Sequence, residues 1–421
     1  MHDEENRWLG MTGVYLKMKI FLRWLLLLSI MLIPFWHYGE VMDIFNSSVR
    51  NQAALHTPFF LILIKNLLVP MMVVISFLLW FSEDSRVSHT EIVALFVLMF
   101  LLIVSVLMTP NMDAWKFISG IRWYLPFFLM VLIISLVDKD SVRQFAYASI
   151  VIMAVNLMMQ LWQLGHMNAK WWGWIPGTSL AARTPGFFPL PATAAMFTCF
   201  SVLFALLIFK DMRIRWAMAT LGMISVCLTQ SGTGFCVMLI ILATLASGPY
   251  WRVLLPVIVP ISYGLTMVIL PYFRGRQYFA NSFGTREQLL TDALDTAATS
   301  ATSATSATLD WLFGANFGLG TNLAVLMRQN FGIDIIAIGA DSFLTQLIVN
   351  LGGIGLLIYL LLMTAATLAA YRAGSKVTVL WLFAIGIFSV TVTITEAFPM
   401  FLMIILAIAY SVKRGDFGKI K

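Results

Sequence analysis

The feature that most constrains this chain is a series of apolar segments, each long enough to cross a membrane as a helix. Of its 421 residues, 60% are hydrophobic and 11% are charged. An ordinary soluble domain carries about twice that charged fraction. A transmembrane helix needs about 20 apolar residues. We therefore predict an all-α polytopic integral membrane protein with about twelve transmembrane helices, near residues 20–36, 59–81, 91–109, 120–137, 144–164, 191–209, 214–230, 232–247, 252–271, 343–370, 377–394 and 397–412.

The domain organisation follows from these segments. Residues 1–421 are expected to form a single transmembrane domain with two larger periplasmic loops, 165–190 and 272–341. The second loop includes the low-complexity Ala/Ser/Thr tract 296–308. Small polar residues interrupt the apolar stretch 214–247, which predicts either two short spans or one long broken helix.

The positions of the basic residues orient the predicted spans. If the N-terminus is cytoplasmic, 17 of the 27 Lys and Arg residues lie on the cytoplasmic side, as the positive-inside rule requires. Both termini are then cytoplasmic, and the two larger loops face outward. The net charge is +7, but the basic residues are scattered over span ends and form no continuous stripe. This distribution excludes nucleic acid as a partner.

Familiar nucleotide and catalytic motifs are missing from the sequence. It contains no GxxxxGK[ST], GxSxG or HExxH, and its five histidines do not pair at helical metal spacing. We therefore expect no cofactor and no metal. Neither ATP-driven transport nor zinc-dependent hydrolysis is favoured.

Arginines on the predicted outer side are the first candidates for substrate binding: Arg183, Arg274, Arg276 and Arg286. A guanidinium group stays charged and grips phosphate or carboxylate with two hydrogen bonds, so several that converge can hold a diphosphate. The alternative is that such residues anchor span ends among lipid headgroups. We favour that alternative for Arg274 and Arg276.

Two carboxylates and two further residues complete the candidate set. Asp341 and Glu396 lie beside predicted spans, where either can take a proton as a general base. The alternatives are a helix N-cap for Asp341 and a turn surface for Glu396. Trp172 in KWWGW is placed to stack on a sugar or to join an aromatic belt, and Ser231 in QSGTG marks an anion site or a plain hairpin.

Three ordered motifs resemble those of the O-antigen polymerase and ligase superfamily, the Wzy-like membrane glycosyltransferases. Arg183, followed by Gly186 and Pro189, is similar to the family's R-x-x-G-x-x-x-P segment. LTQSGTGF is placed like the family's small-residue helical break. FGTREQLLTDAL, FGANFGLGTN and ADSFLTQLIVNLGGIGLLIYL are similar to the family's long outer loop and the span after it. The match runs over about 183–370, by order and spacing.

The resemblance implies transfer of an oligosaccharide from an undecaprenyl-diphosphate donor, without a metal, at the periplasmic face of the bacterial inner membrane. Arg183 and Arg286 would bind the diphosphate and stabilise it as the leaving group. Where ligases carry a histidine before the tenth span, this chain has Asp341 and Ser342, and the family's tryptophan after Arg286 is absent. Both departures favour a polymerase over a ligase.

The partners implied by the resemblance are the lipid bilayer, undecaprenyl-diphosphate-linked oligosaccharides and, for a polymerase, a chain-length regulator. The rival hypothesis is a secondary transporter or a lipid-linked oligosaccharide flippase. A transporter is expected to show internal repeats and charged or broken helices at mid-membrane, and no repeat is evident in this sequence.

Overall fold

The computed structural model describes residues 2–36, 58–82, 88–109, 111–166, 171–172, 182–274, 291, 311–314, 317–319, 321 and 342–417. These residues form helices almost throughout, and every predicted span overlaps one of them. In chain order the helices are α1 (His2–Met31), α2 (Ile33–Trp36), α3 (Phe59–Ser82), α4 (His89–Met108), α5 (Ala114–Leu136), α6 (Lys139–Gly165), α7 (Pro191–Ile208), α8 (Met212–Thr229), α9 (Gly232–Ala246), α10 (Trp251–Arg274), α11 (Phe343–Ala373), α12 (Lys376–Ser389) and α13 (Met400–Arg414).

Seven segments in this part of the chain are long and apolar enough to cross a membrane. They lie in α3 to α7, in α10 with the short 3-10 turn before it, and in α11. Helices α9 and α12 are equally apolar but shorter. The protein is therefore an all-α membrane protein, and the figure of twelve spans stays a prediction.

Helix α7 is the centre of the bundle. Every residue from Thr193 to Leu207 is buried, and α6, α8, α9, α12 and α13 all pack against this helix. Its aromatic side chains make specific contacts with α12, because the rings of Phe200 and Phe204 lie 4.9 and 5.0 Å from that of Trp381. An apolar surface on every side of α7 allows protein neighbours to pack all around it.

The stretch 214–247 forms a helical hairpin and is not one long broken helix. Gln230 adopts a left-handed conformation with φ 50°, and Ser231 caps the start of α9. The two arms then run side by side: a Cβ built on Gly222 of α8 would lie 3.2 Å from the Met238 methyl group of α9. In one continuous helix those two residues would be about 24 Å apart.

Basic side chains collect at one end of the bundle, which we call the basic end. There the Arg23 Nε donates to Gln144 at 2.7 Å, and the Lys413 ammonium donates to the Ser135 carbonyl at 3.0 Å. Asp138, in the link between α5 and α6, is part of this region. Burial alone would raise its pKa, but hydrogen bonds from Ser141 and the charges of Arg23 and Lys19 lower it overall.

The opposite end, which we call the loop end, contains the irregular segments that join the helices. The ring of Trp36 packs edge-on against Phe398 at 5.9 Å there. The amide of Phe343 donates to the Val392 carbonyl at 3.1 Å. Residues 390–399 form a ten-residue irregular segment between α12 and α13, longer than the short turn expected from the hydropathy.

Helix α11 is broken at Gly352. The backbone there has φ 65° and ψ −165°, a conformation that is essentially restricted to glycine. Residues 311–314 pack into the break: a Cβ on Gly352 would lie 2.6 Å from the Gly314 nitrogen and closer still to the Leu312 carbonyl. The break is thus fixed by backbone packed against backbone, with no room for a side chain.

Replacing Gly352 by alanine is expected to destabilise the fold by at least about 1–3 kcal/mol, the usual cost of such a backbone conformation. The matched control is Gly386→Ala in α12, where the added methyl meets nothing within 4 Å. Thermal unfolding in detergent should show a lower midpoint for Gly352→Ala and an unchanged or higher one for the control. Equal midpoints would show that the break is dispensable.

Candidate functional site

The segment after the first loop runs into the helical bundle at the loop end. Two two-residue strands precede it, with Trp171 paired to Arg183 and Trp172 paired to Ala182. The Arg183 residue is only 7% exposed and the next residue, Thr184, only 2%. The strand pairing therefore brings two of the candidate residues, Arg183 and Trp172, close together in the backbone.

Side-chain amides of α6 hold the backbone that follows Arg183. Gln163 makes two hydrogen bonds to Gly186, accepting from its amide at 2.9 Å and donating to its carbonyl at 3.2 Å. The Asn156 carbonyl oxygen accepts from the Phe187 amide at 2.9 Å. Buried backbone groups need hydrogen-bond partners from the protein, because water cannot reach them. Gln163 and Asn156 perform that role here.

The sequence places these amides on one face of α6. Asn156, Gln160 and Gln163 follow one another at intervals of four and three residues, and all three are fully buried. Gln160 accepts from the Ser225 hydroxyl of α8 at 2.7 Å. Within the described part of the chain, the amide nitrogens of Asn156 and Gln160 have no hydrogen-bond partner. They are buried donors available to an acceptor.

Gly186 lies at the point of closest approach between this segment and α6. Its φ of 69° favours glycine, and an added Cβ would collide with the Asn156 amide group. This explains the glycine of the predicted R-x-x-G pattern without any reference to a ligand.

The tip of the α8–α9 hairpin contacts the Arg183 segment. The Thr184 amide and hydroxyl donate to the Leu228 carbonyl at 3.2 and 3.1 Å. At the tip itself, the Ser231 hydroxyl accepts from the Gly234 amide at 3.4 Å and is almost completely buried. Ser231 is therefore a helix cap next to the Arg183 segment.

The hairpin also contacts the irregular segment that carries Glu396. The Thr233 hydroxyl donates to Thr391 at 2.8 Å. The Arg183 segment, the hairpin tip and the Glu396 segment are therefore neighbours in space at the loop end. Thr184 bonds to Leu228, and Thr233 bonds to Thr391. The bonded residues are 44 and 158 positions apart in the sequence, so the fold brings distant segments to one place.

Gln346 of α11 holds the Glu396 side chain in place. It donates to the carboxylate at 2.6 Å, while its carbonyl oxygen accepts from the Trp123 indole at 3.1 Å and from Thr395 at 3.3 Å. The positive charge of Arg122 attracts Glu396 as well. Glu396 is only partly buried, so its fixed carboxylate remains accessible at this end.

The glycine-rich turn of the second loop packs close to this network. The Gly318 amide donates to Asn350 at 2.7 Å, and the Gly318 carbonyl accepts from Ser119 at 2.9 Å. The Phe317 amide donates to the Thr109 hydroxyl at 3.0 Å. The described part of this turn is therefore inserted between α5 and α11, where its backbone groups are hydrogen-bonded by side chains.

Several of the predicted site residues fall outside this geometry. Arg276, Arg286 and Asp341 lie outside the described residues, as does the tract 296–308. Arg274 is the last residue of α10. One alternative is wrong: the N-cap of α11 is Ser342, which accepts from the Thr345 amide at 3.1 Å, so Asp341 does not cap that helix.

The polar residues that organise the site are not among the predicted site residues: Asn156, Gln160, Gln163, Gln346 and Asn350. Their only signal is an amide side chain inside an otherwise apolar helical segment, where an unpaired polar group is costly. The spacing on α6 was visible in the sequence, but the partners of these amides were not. Among the described residues, no three His, Cys, Asp or Glu side chains lie close enough to hold a metal ion.

No known family model matches this chain, and no curated protein matches it. The resemblance to the Wzy-like superfamily therefore stays a prediction, and the geometry of the loop end is what supports a functional proposal.

Replacing Gln163 by leucine is expected to release the Arg183 segment from α6. The change removes both hydrogen bonds from Gln163 to Gly186, and each such bond contributes about 0.5–1.5 kcal/mol. Hydrogen exchange at residues 184–188 should become faster. The matched control is Gln144→Leu on the same helix, whose exposed partner is Arg23. Unchanged exchange in both variants would mean that Gln163 does not hold the segment.

Proposed function

We propose that this protein is a membrane glycosyltransferase that polymerises undecaprenyl-diphosphate-linked oligosaccharide repeat units at the periplasmic face. The product would be an O-antigen, a capsule or an exopolysaccharide. The observation that carries the proposal is the buried Arg183, held between α6 and the hairpin tip at the loop end. An ionisable residue buried in a membrane protein is a functional hypothesis by default, because its burial is costly.

The chemistry needs an anion site and a proton acceptor. In the proposed reaction, an acceptor hydroxyl oxygen bonds to the anomeric carbon of the donor, and the bond from that carbon to the diphosphate breaks. Undecaprenyl diphosphate leaves with the electron pair, and the guanidinium of Arg183 stabilises its developing charge. Asn156 and Gln160, on the helix that anchors this segment, offer buried N–H donors suited to phosphate or sugar oxygens.

Glu396 is the described candidate for the general base that takes the hydroxyl proton. Gln346 fixes its orientation, and the positive charge of Arg122 attracts it. A base must be both ionised and positioned to act. Arg286 and Asp341 remain further catalytic candidates. Arg274, Arg276, Trp172 and Ser231 remain candidates for substrate binding, with Ser231 acting through the hairpin that it caps.

We further propose that the protein crosses the bacterial inner membrane twelve times, with both termini in the cytoplasm. Support comes from the basic end, where Arg23, Lys376 and Lys413 lie together with the ends of other helices. Positive charge of this kind favours the cytoplasmic side. The loop end, with Arg183 and Glu396, then faces the periplasm. A chain-length regulator is proposed as a partner on that side.

A second candidate function, a lipid-linked oligosaccharide flippase, is favoured by one observation. Helix α11 is long enough to span a membrane and is interrupted at Gly352, and interrupted helices are typical of transporters. A ligase of the same superfamily is the third candidate. The three differ in which intermediate accumulates when the site is disabled.

Replacing Arg183 by alanine is expected to abolish polymer and leave single repeat units on the cell surface. Loss of one donor to a developing oxyanion lowers turnover by about 10²-fold or more. Arg183→Lys should restore only part of the activity, because an ammonium lacks the bidentate geometry. Polymer length in cells would be compared at equal protein levels, with Arg143→Ala at the basic end as control.

The alternatives give different outcomes in the same experiment. Loss of single units from the outer face would favour the flippase, and full-length polymer that is no longer attached to its final acceptor would favour the ligase. Normal attached polymer in Arg183→Ala would contradict the role given to this arginine.

Replacing Glu396 by glutamine is expected to lower turnover by about 10²–10⁴-fold, because the amide cannot accept the proton. The amide oxygen can still accept from Gln346, so the fold should persist. Polymerisation would be measured in membrane vesicles supplied with lipid-linked repeat units. The control is Asp140→Asn, which removes an exposed carboxylate at the basic end. Full activity in Glu396→Gln would exclude Glu396 as the base.

A further inference from the structure

The basic end brings three cations together at the boundary between four helices. Arg215 lies in the first turn of α8, Lys376 begins α12, and Arg414 ends α13. The charge of Arg215 interacts repulsively with those of both Lys376 and Arg414. Packing of the helices, and not mutual attraction, therefore holds these side chains close together.

Hydrogen bonds to backbone groups fix two of the three cations. The Arg215 Nε donates to the Phe209 carbonyl at the end of α7, at 2.7 Å. The Lys376 ammonium donates to the Gly248 carbonyl at 3.3 Å. Each still has N–H donors beyond these bonds, since a guanidinium has five and an ammonium has three.

Negative charge near the cluster does not balance it. Asp416 pairs with Arg414 at 3.3 Å, but it is buried and also accepts from Thr378 at 2.8 Å. Asp211 is exposed, and its carboxylate accepts from the Arg213 amide as the cap of α8. On the described residues the three cations face one paired carboxylate, which leaves an excess of positive charge.

Exposed apolar residues lie within three positions of Arg215 and Arg414 in the sequence. Met212, Ile214 and Trp216 of α8 are 45%, 38% and 38% exposed, and Val412 of α13 is 45% exposed. A soluble anion would gain nothing from these neighbours. An amphipathic anion, with a phosphate at the charges and acyl chains on the apolar surface, fits both features.

We propose that Arg215, Lys376 and Arg414 form a binding site for the phosphate headgroup of an anionic phospholipid. The site lies at the basic end, remote from Arg183 and Glu396, and is independent of the proposed enzymatic function. It ties the end of α7 and the starts of α8 and α12 to the last turn of α13 through one shared counter-ion.

Spin-labelled phosphatidylglycerol and phosphatidylcholine, added to the full-length protein in bilayers, provide the test. We expect the protein to immobilise phosphatidylglycerol in preference to phosphatidylcholine. Each of Arg215→Gln, Lys376→Gln and Arg414→Gln should weaken this preference by about fivefold, the effect of one basic residue near a membrane surface. Arg143→Gln is the matched control, because it removes a basic residue of the same end that is already paired with Asp140.

Two further measurements test whether positive charge is sufficient and whether free phosphate can replace the lipid. Arg215→Lys with Arg414→Lys keeps the charges and should keep most of the preference, whether or not a glutamine variant folds. Inorganic phosphate at physiological ionic strength should neither displace the labelled lipid nor raise the unfolding temperature. Equal immobilisation of the two lipids by the unaltered protein, equal effects of Arg143→Gln and Arg215→Gln, or stabilisation by inorganic phosphate would each overturn the proposal.

Discussion

Backbone groups at the loop end depend on side-chain amides for their hydrogen bonds. Water satisfies such groups where they are exposed, but a buried group that is left unsatisfied costs about 2–7 kcal/mol. Gln163 and Asn156 satisfy the segment after Arg183, and Asn350 satisfies the glycine-rich turn. Gln346 performs the related task for the Glu396 side chain. These amides therefore stabilise the irregular backbone and, with it, the candidate site.

The same amides give the site its rigidity. The Arg183 segment is joined to α6 and to the hairpin tip, and the tip is joined to the 390–399 segment. Glu396 is joined in turn to α11 and, through Gln346, to Trp123 of α5. The backbone that follows Arg183 and the carboxylate of Glu396 are therefore held on a common frame of helices, although neither lies in a helix. The proposed catalysis would require preorganisation of this kind.

The sequence predicted the helices well and the site only in part. Hydropathy located each long helix in the described part of the chain, because apolar length is a local property. It could not decide between a hairpin and a broken helix at 214–247, since the decision rests on the packing of Gly222 against Met238. The role of Gln346 and the break at Gly352 were likewise out of reach. Both depend on partners distant in the chain, Trp123 and Leu312 respectively, and the adjoining residues give no local signal of either contact.

The insertion of the glycine-rich turn between α5 and α11 has a consequence for biogenesis. Ser119 and Gly318 are 199 residues apart in sequence, and Thr109 and Phe317 are 208 apart. During synthesis the groove on α5 is made long before the turn that fills it, and Asn350, which holds Gly318, follows later still. Until α11 is inserted, the polar groups of Ser119 and Thr109 therefore lack the partners that the turn provides in the folded protein. Assembly of the loop end is accordingly a late event, completed only when the C-terminal third of the chain has entered the membrane.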